Sequence, residues 1–190
     1  MTPQEIKLKI LQGENLLTEF KEQFSNLDSL AAEICALANT EGGTIFFGVA
    51  DDKEIKGLKN YQKIEEQIMN LLRHNLEPAS SAKFVLTEID SKVIGILEVP
   101  KSSVRPHKTN QGRYYIRVGT TKRYPSREEL ARIYQDVGQI RYDLAGIQAT
   151  SIRDLDLDKV NDYYRRFYNE NLFSAKLGLE QTLINLEFLT

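Results

Sequence analysis

Residues 30–49 constrain this chain more than any other stretch. Residues 30–38 are apolar but for Glu33, and Ile34, Leu37 and Ala38 fall on one helical face, with Asp28 or Ser29 placed to cap the helix. Asn39-Thr40-Glu41-Gly42-Gly43 ends that helix, because glycine enters the left-handed region without penalty. Residues 44–49 then form a nearly continuous apolar and β-branched run, the mark of a buried central strand. A helix that turns on two glycines into a buried strand commits the chain to an α/β (α+β) fold, a mixed sheet with flanking helices. The glycines do not make a phosphate-cradling loop: they follow a helix rather than a strand, and no lysine closes them. No nucleotide site is expected at that turn, and Gly48 is expected to admit a neighbouring backbone closely.

The other elements fit around this unit. Residues 6–11 read as a short helix broken by Gly13, and 16–21 as a strand. Residues 60–76 carry Ile64, Ile68, Leu71 and Leu72 on one helical face, and Pro78 stops them. Residues 83–89 and 92–99 read as strands joined by a two-residue turn at Asp90-Ser91. After Asn110-Gln111-Gly112, residues 113–118 read as a further strand. Ser126 and Glu129 form a capping box that opens a helix through Tyr134. The composition shifts after Gly138, and two helical stretches follow at about 156–168 and 174–188, with Val160, Tyr163, Tyr164 and Phe167 on one face. This gives a domain at 10–137 and a helical extension at 138–190. The last helix is apolar and lacks a polar tail. That suits the front part of a longer chain, or a helix packed on a second copy in a homodimer.

No apolar run approaches the ~18 residues needed to cross a bilayer. The N-terminus has neither the basic start nor the apolar stretch of a signal peptide. The single cysteine, Cys35, reads as a small core residue of a protein in a reducing compartment. The expected location is therefore the cytoplasm, with no membrane partner.

A net charge of −2 argues weakly against nucleic acid, but it hides a local bias. Lys101, Arg105, Lys108, Arg113, Arg117, Lys122, Arg123 and Arg127 share a window without one Asp or Glu. Such a segment on an otherwise acidic chain suggests an anionic partner met on one face. The competing reading is a solvated strand and loop that happen to be basic. Alternation puts Arg113, Tyr115 and Arg117 on one strand face and Tyr114, Ile116 and Val118 on the other, expected to be the core face. The first face could lay guanidinium groups along phosphates, with Tyr115 free to stack on a base. Arg105, Lys108, Lys122 and Arg123 would extend it through the flanking loops. The alternative is a tyrosine packed under aliphatic arginine stems. His107, in the same loop, is expected to be solvated, and His74 near a helix end needs no further role.

Glu14 and Glu19 lie five apart, and Lys21 shares a strand face with Glu19. Joined by Asp51, or alternatively Asp52, they would form a carboxylate cluster of the kind that holds Mg²⁺ or Mn²⁺ and activates water against a phosphodiester. Lys21 would then offset phosphate charge. Spacing alone favours a plain salt bridge at a strand edge. The expectation is accordingly no cofactor, with a divalent metal only if the chain is a nuclease. With two histidines and one cysteine, nucleophile triads are unsupported.

The order of these pieces resembles a known family. Glu14-x4-Glu19-Phe20-Lys21, then residues 38–44, then Phe47-Gly48-Val49 with an acidic turn and Gly57, are similar to the Schlafen AlbA-like domain. So are residues 115–121 and the helix start at Ser126 to Glu129. The resemblance covers roughly residues 10–135. It implies a DNA-binding domain of a microbial transcriptional regulator, often followed by a larger C-terminal region. In animal Schlafen proteins a related fold is an endoribonuclease that uses two glutamates and an aspartate. Those positions would fall on Glu14, Glu19 and an acid after Val49, where this sequence departs: Ala50 comes first, then Asp51 and Asp52. Three readings follow: a DNA- or RNA-binding module, a metal-dependent endoribonuclease, and a protein-interaction or dimerisation domain.

Overall fold

The computed structural model describes residues 1–59, 61–138, 151–186 and 188. It divides into two units, Met1–Ile140 and Arg141–Thr190. In chain order the first unit has α1 (Pro3–Gln12), β1 (Thr18–Lys21), α2 (Leu27–Asn39), β2 (Gly43–Phe47) and α3 (Ile64–His74). After these come β3 (Leu76–Glu77), β4 (Lys83–Ile89), β5 (Lys92–Val99), β6 (Lys108–Thr109), β7 (Ile116–Val118), β8 (Thr121–Arg123) and α4 (Arg127–Asp136).

α2 begins earlier than a cap at Asp28 or Ser29 would allow. The Asn26 side chain accepts the Ser29 N–H and starts the helix at Leu27. Every residue from Leu30 to Asn39 is buried, so the helix is enclosed all round rather than along one stripe. Gly42, at φ 74°, then turns the chain back. A Cβ there would stand 2.6 Å from the Val99 carbonyl oxygen, so only glycine fits both the dihedral and the space.

The main sheet runs β1-β2-β5-β4. β1 and β2 are parallel, with Thr18 opposite Thr44 and Lys21 opposite Phe47, and the other pairs are antiparallel. The expected mixed sheet is thus formed. The turn Asp90-Ser91 joins β4 to β5 with both residues at positive φ, as a tight hairpin requires. One sheet face sends Ile45, Phe47, Leu97 and Val99 against α2 and α3. The other sends Phe46, Ile94 and Ile96, with Phe20, against Ile6 and Ile10 of α1. Ile6 and Ile10 of α1 thus cover this second face, and the first unit runs from Met1. Gly48, at φ 88°, breaks the alternation after β2, and an added Cβ would meet the Gly57 backbone at 3.0 Å, the expected close approach.

The second unit holds α5 (Leu157–Tyr168) and α6 (Leu179–Asn185). Val160, Tyr164, Leu172 and Leu183 form its core. Of the expected apolar face, Tyr163 and Phe167 stay exposed, their rings 4.5 Å apart. α6 starts later than residue 174, because Leu172–Ser174 makes a single 3-10 turn and Gly178 intervenes at φ 79°. The stretch 139–150, where the extension was expected to begin, lies outside the described residues, as do 187, 189 and 190 at the expected end of its last helix. No described helix is long and apolar enough to cross a membrane.

Candidate nucleic-acid interface

The strand expected at 113–118 contracts to β7, paired with β8, and its faces do not follow the expected alternation. Arg117, expected outward beside Arg113, is 2% exposed, whereas Val118, expected in the core, is 48% exposed. The cause is what lies beneath. Glu19 of β1 and Glu33 of α2 are each 5% exposed, and two carboxylates inside a fold demand a cation. The Arg117 fork donates Nη2 to Glu19 at 2.7 Å and Nη1 to Glu33 at 3.2 Å. It also reaches the carbonyl oxygens of Asn15 and Thr18. Lys21 pairs with the other oxygen of Glu19, and Lys122 with that of Glu33. A chain of five charges, Lys21–Glu19–Arg117–Glu33–Lys122, buried at its three central members and partly solvated at its two lysines, thus ties β1, α2, β7 and β8 together.

The window that lacks acids in sequence is met by acids in space. Lys101 pairs with Glu41 at 2.9 Å, Arg105 with Asp136 at 3.3 Å, and Lys108 with Glu77 at 3.1 Å. Arg123 grips Glu129 with both terminal nitrogens. That hydrogen bonding, then the Ser126 N–H, holds the Glu129 carboxyl down to about 2. Of the eight cations, only Arg113 and Arg127 lack a carboxylate partner among the described residues. The basic stripe is therefore far less basic as a surface than as a string.

Arg113, Tyr115 and Lys122 nonetheless line one cleft, of about 370 Å³. Its other wall is the first turn of α2, with Asn26, Asp28 and Ser29. Lys122 Nζ lies 3.4 Å from the Ser29 hydroxyl. Gln111 reaches across and donates to the Asp28 carboxylate at 3.2 Å. Tyr124 packs on Tyr115 with ring centroids 4.9 Å apart, and more than half of it is exposed. Their hydroxyls sit 3.3 Å apart, and that shared hydrogen bond pushes the Tyr115 phenol up and the Tyr124 phenol down. Arg113 stands beside the pair, its Nη1 3.5 Å from the Tyr124 hydroxyl.

The carboxylates are not brought together. Glu14 folds back over the free edge of β1 and accepts the Phe20 N–H at 2.9 Å. Glu19 is held by Arg117 and Lys21 in that chain of charges. Asp51 lies four residues beyond Phe47, the end of β2, and with Asp52 it occupies an exposed turn closed by Ala50 and Glu54. Asp52 there accepts the Glu54 N–H. Among the described residues no three His, Cys, Asp or Glu side chains stand close enough to share a cation.

Sequence reasoning missed Asn39 and misplaced His107. The Asn39 side chain donates to the carbonyl oxygens of His107 and Tyr115, at 2.8 and 2.9 Å, and accepts the His107 N–H at 2.6 Å. An amide at the end of a largely apolar helix was the available signal, since a buried Asn needs partners. His107 is 2% exposed rather than solvated. Its Nδ1 lies 2.7 Å from the Pro78 carbonyl oxygen, while Nε2 is buried without a partner. Burial pushes the imidazole below its ordinary range, against the Pro78 hydrogen bond. Cys35 is in the core, as expected, with its thiol directed at the His107 carbonyl oxygen.

Fold and cleft together define an α+β domain in which one buried helix carries both the sheet and a polar recess lined by two cations and a tyrosine. The chain belongs to the Schlafen, AlbA_2 family, whose model matches residues 14–126. It is 28% identical over 149 residues to the uncharacterized ATP-binding protein UU034 of Ureaplasma parvum serovar 3, a match covering 67% of this chain and 42% of that protein. It also shares a fold with the DIP2311 protein of Corynebacterium diphtheriae, at a TM-score of 0.50 and 18% identity, over 83% of this chain and 32% of that one. The chain thus spans less than half the length of either.

Proposed function

We propose that this domain binds nucleic acid through its backbone phosphates, as the DNA-contacting part of a transcriptional regulator in the cytoplasm. In this reading a further region of a longer protein supplies regulation or dimerisation. The observation that carries the proposal is the convergence of Arg113, Tyr115 and Lys122 on one open cleft, with Arg113 unneutralised. Family membership supports it, the Schlafen, AlbA_2 domain being related to nucleic-acid functions. The Ureaplasma relative is named for binding ATP, another phosphate ligand suited to such side chains.

Neutralisation of the other cations sets the expected strength. Each phosphate contact contributes about −0.9 to the slope of log K against log salt on a duplex. With two free cations in the window rather than eight, and Lys122 sharing its charge with Glu33, the slope should be about −2 to −3. The test is fluorescence anisotropy of a labelled duplex at several salt concentrations, with Arg113→Ala reducing the slope by about one. Absence of binding at low salt, or a slope untouched by Arg113→Ala, would refute the proposal.

A further inference from the structure

We infer that the cleft between the first turn of α2 and Tyr115 receives one unpaired nucleotide of a single strand, a duplex being held more weakly there through phosphate contacts alone. This inference rests on the proposed function and sharpens its ligand.

Four features point that way. The recess, at about 370 Å³, falls in the range of pockets that enclose one small ligand unit. A duplex presents a convex rod and meets such a recess with its phosphates only, whereas an unpaired nucleotide can enter it. Tyr124, more than half exposed as a residue, packs on the cleft-lining Tyr115 with ring centroids 4.9 Å apart. In a duplex every base face is already stacked, so an exposed tyrosine beside the cleft gains contact only from an unpaired base. The charge suits one phosphate: Arg113 is free of carboxylates among the described residues, and Lys122 shares its charge with Glu33 and stands beside the Ser29 hydroxyl. Finally, Asp28, tied to Gln111 on the opposite side, puts a negative charge at the cleft that opposes a second phosphate. A phosphate would then sit between Arg113, Lys122 and Ser29, with its base against Tyr124.

The test uses the full chain, with a labelled oligouridylate of about eight nucleotides as probe. Competitors are unlabelled oligothymidylate, a blunt duplex of equal length and uridine 5′-monophosphate. Single strands should bind at least about ten-fold more tightly than the duplex, and Tyr124→Ala should weaken them by about ten-fold, the range of a lost base–aromatic stack, while leaving the duplex unaffected. Tyr124 is exposed, so the circular dichroism of the variant should match the parent. Asp28→Asn should strengthen single-strand binding several-fold by removing like charge. Equal or tighter binding of the duplex, or no effect of Tyr124→Ala, would overturn the inference. If Arg113→Ala still lowered the salt slope on duplex, that failure would leave the proposed function standing. The monophosphate alone competing as well as the oligomers would also overturn it, making the cleft a free-nucleotide site.

Discussion

Replacing Arg117 by methionine should damage stability, and nucleic-acid binding only through stability. The guanidinium makes two ion pairs with carboxylates that are each 5% exposed, and it also donates to the carbonyl oxygens of Asn15 and Thr18. Methionine fills much of the volume but strands Glu19 and Glu33 with only Lys21 and Lys122, both partly solvated, as partners. Removing one partner from a buried pair typically costs about 3–5 kcal/mol. With a urea m-value of about 2 kcal/mol per molar, the midpoint should fall by about 1.5–2.5 M. Urea unfolding followed by circular dichroism reads this directly. Arg117→Lys should recover little, because one ammonium cannot serve two carboxylates and two carbonyls in a fixed fork. Adding Glu19→Gln and Glu33→Gln to Arg117→Met should recover part of the loss by removing the stranded charges. A loss below about 1 kcal/mol for Arg117→Met would refute the reasoning, since the carboxylates would then be finding water or relaxing outward.

Gly42→Ala should destabilise by at least about 1–2 kcal/mol from its left-handed dihedral alone, with further loss from the 2.6 Å approach to the Val99 carbonyl oxygen. Thermal melting compared with Gly112→Ala, where an added Cβ meets nothing within 4 Å, isolates the contribution of the clash. Cys35, whose thiol burial pushes up to about 12, should resist a thiol-specific reagent at pH 8 and react fully in urea; rapid native labelling would contradict its placement. Glu129, held to about 2 against an ordinary 4.5, should titrate near 2 by NMR and move upward in Arg123→Ala. Because its folded value is depressed, whatever stability it contributes is fully present above about pH 4.5 and disappears as pH falls through about 2.

The main fold was legible because periodicity carries it. The apolar run at 44–49 could only be a central strand, the glycines only a turn, and Asp90-Ser91 only a tight hairpin. The cleft was half legible: Arg113, Tyr115 and Lys122 were named from the sequence, whereas the α2 wall that closes it lies some eighty residues away in the chain. Two things were hidden for one physical reason. Charge along a chain is local, while neutralisation happens in space, so the acids that quench Lys101, Arg105, Lys108 and Arg123 were invisible from within the window. Arg117 was misread because alternation assumes that the core is apolar. Here the interior beneath β7 holds carboxylates, and an arginine is the side chain that fits them.

The contacts of Asn39 bear on how such a domain could change its target. The 101–123 segment has little regular structure of its own, only β6, β7 and β8 of two or three residues each. Beside the side-chain contacts of Gln111 and Lys122, a row of attachments to α2 and its C-cap holds it: Ser102 to the Ala38 carbonyl, His107 and Tyr115 to Asn39, and Arg117 to Thr40 and Glu33. Every anchor in that row except the arginine fork uses the segment's backbone and is therefore indifferent to side-chain identity. The segment behaves as a cassette clipped to a fixed rail. Its outward residues, Arg113 among them, can be exchanged for others without loosening those backbone clips, so a new ligand preference could arise by substitution alone, with the sheet and core left as they are.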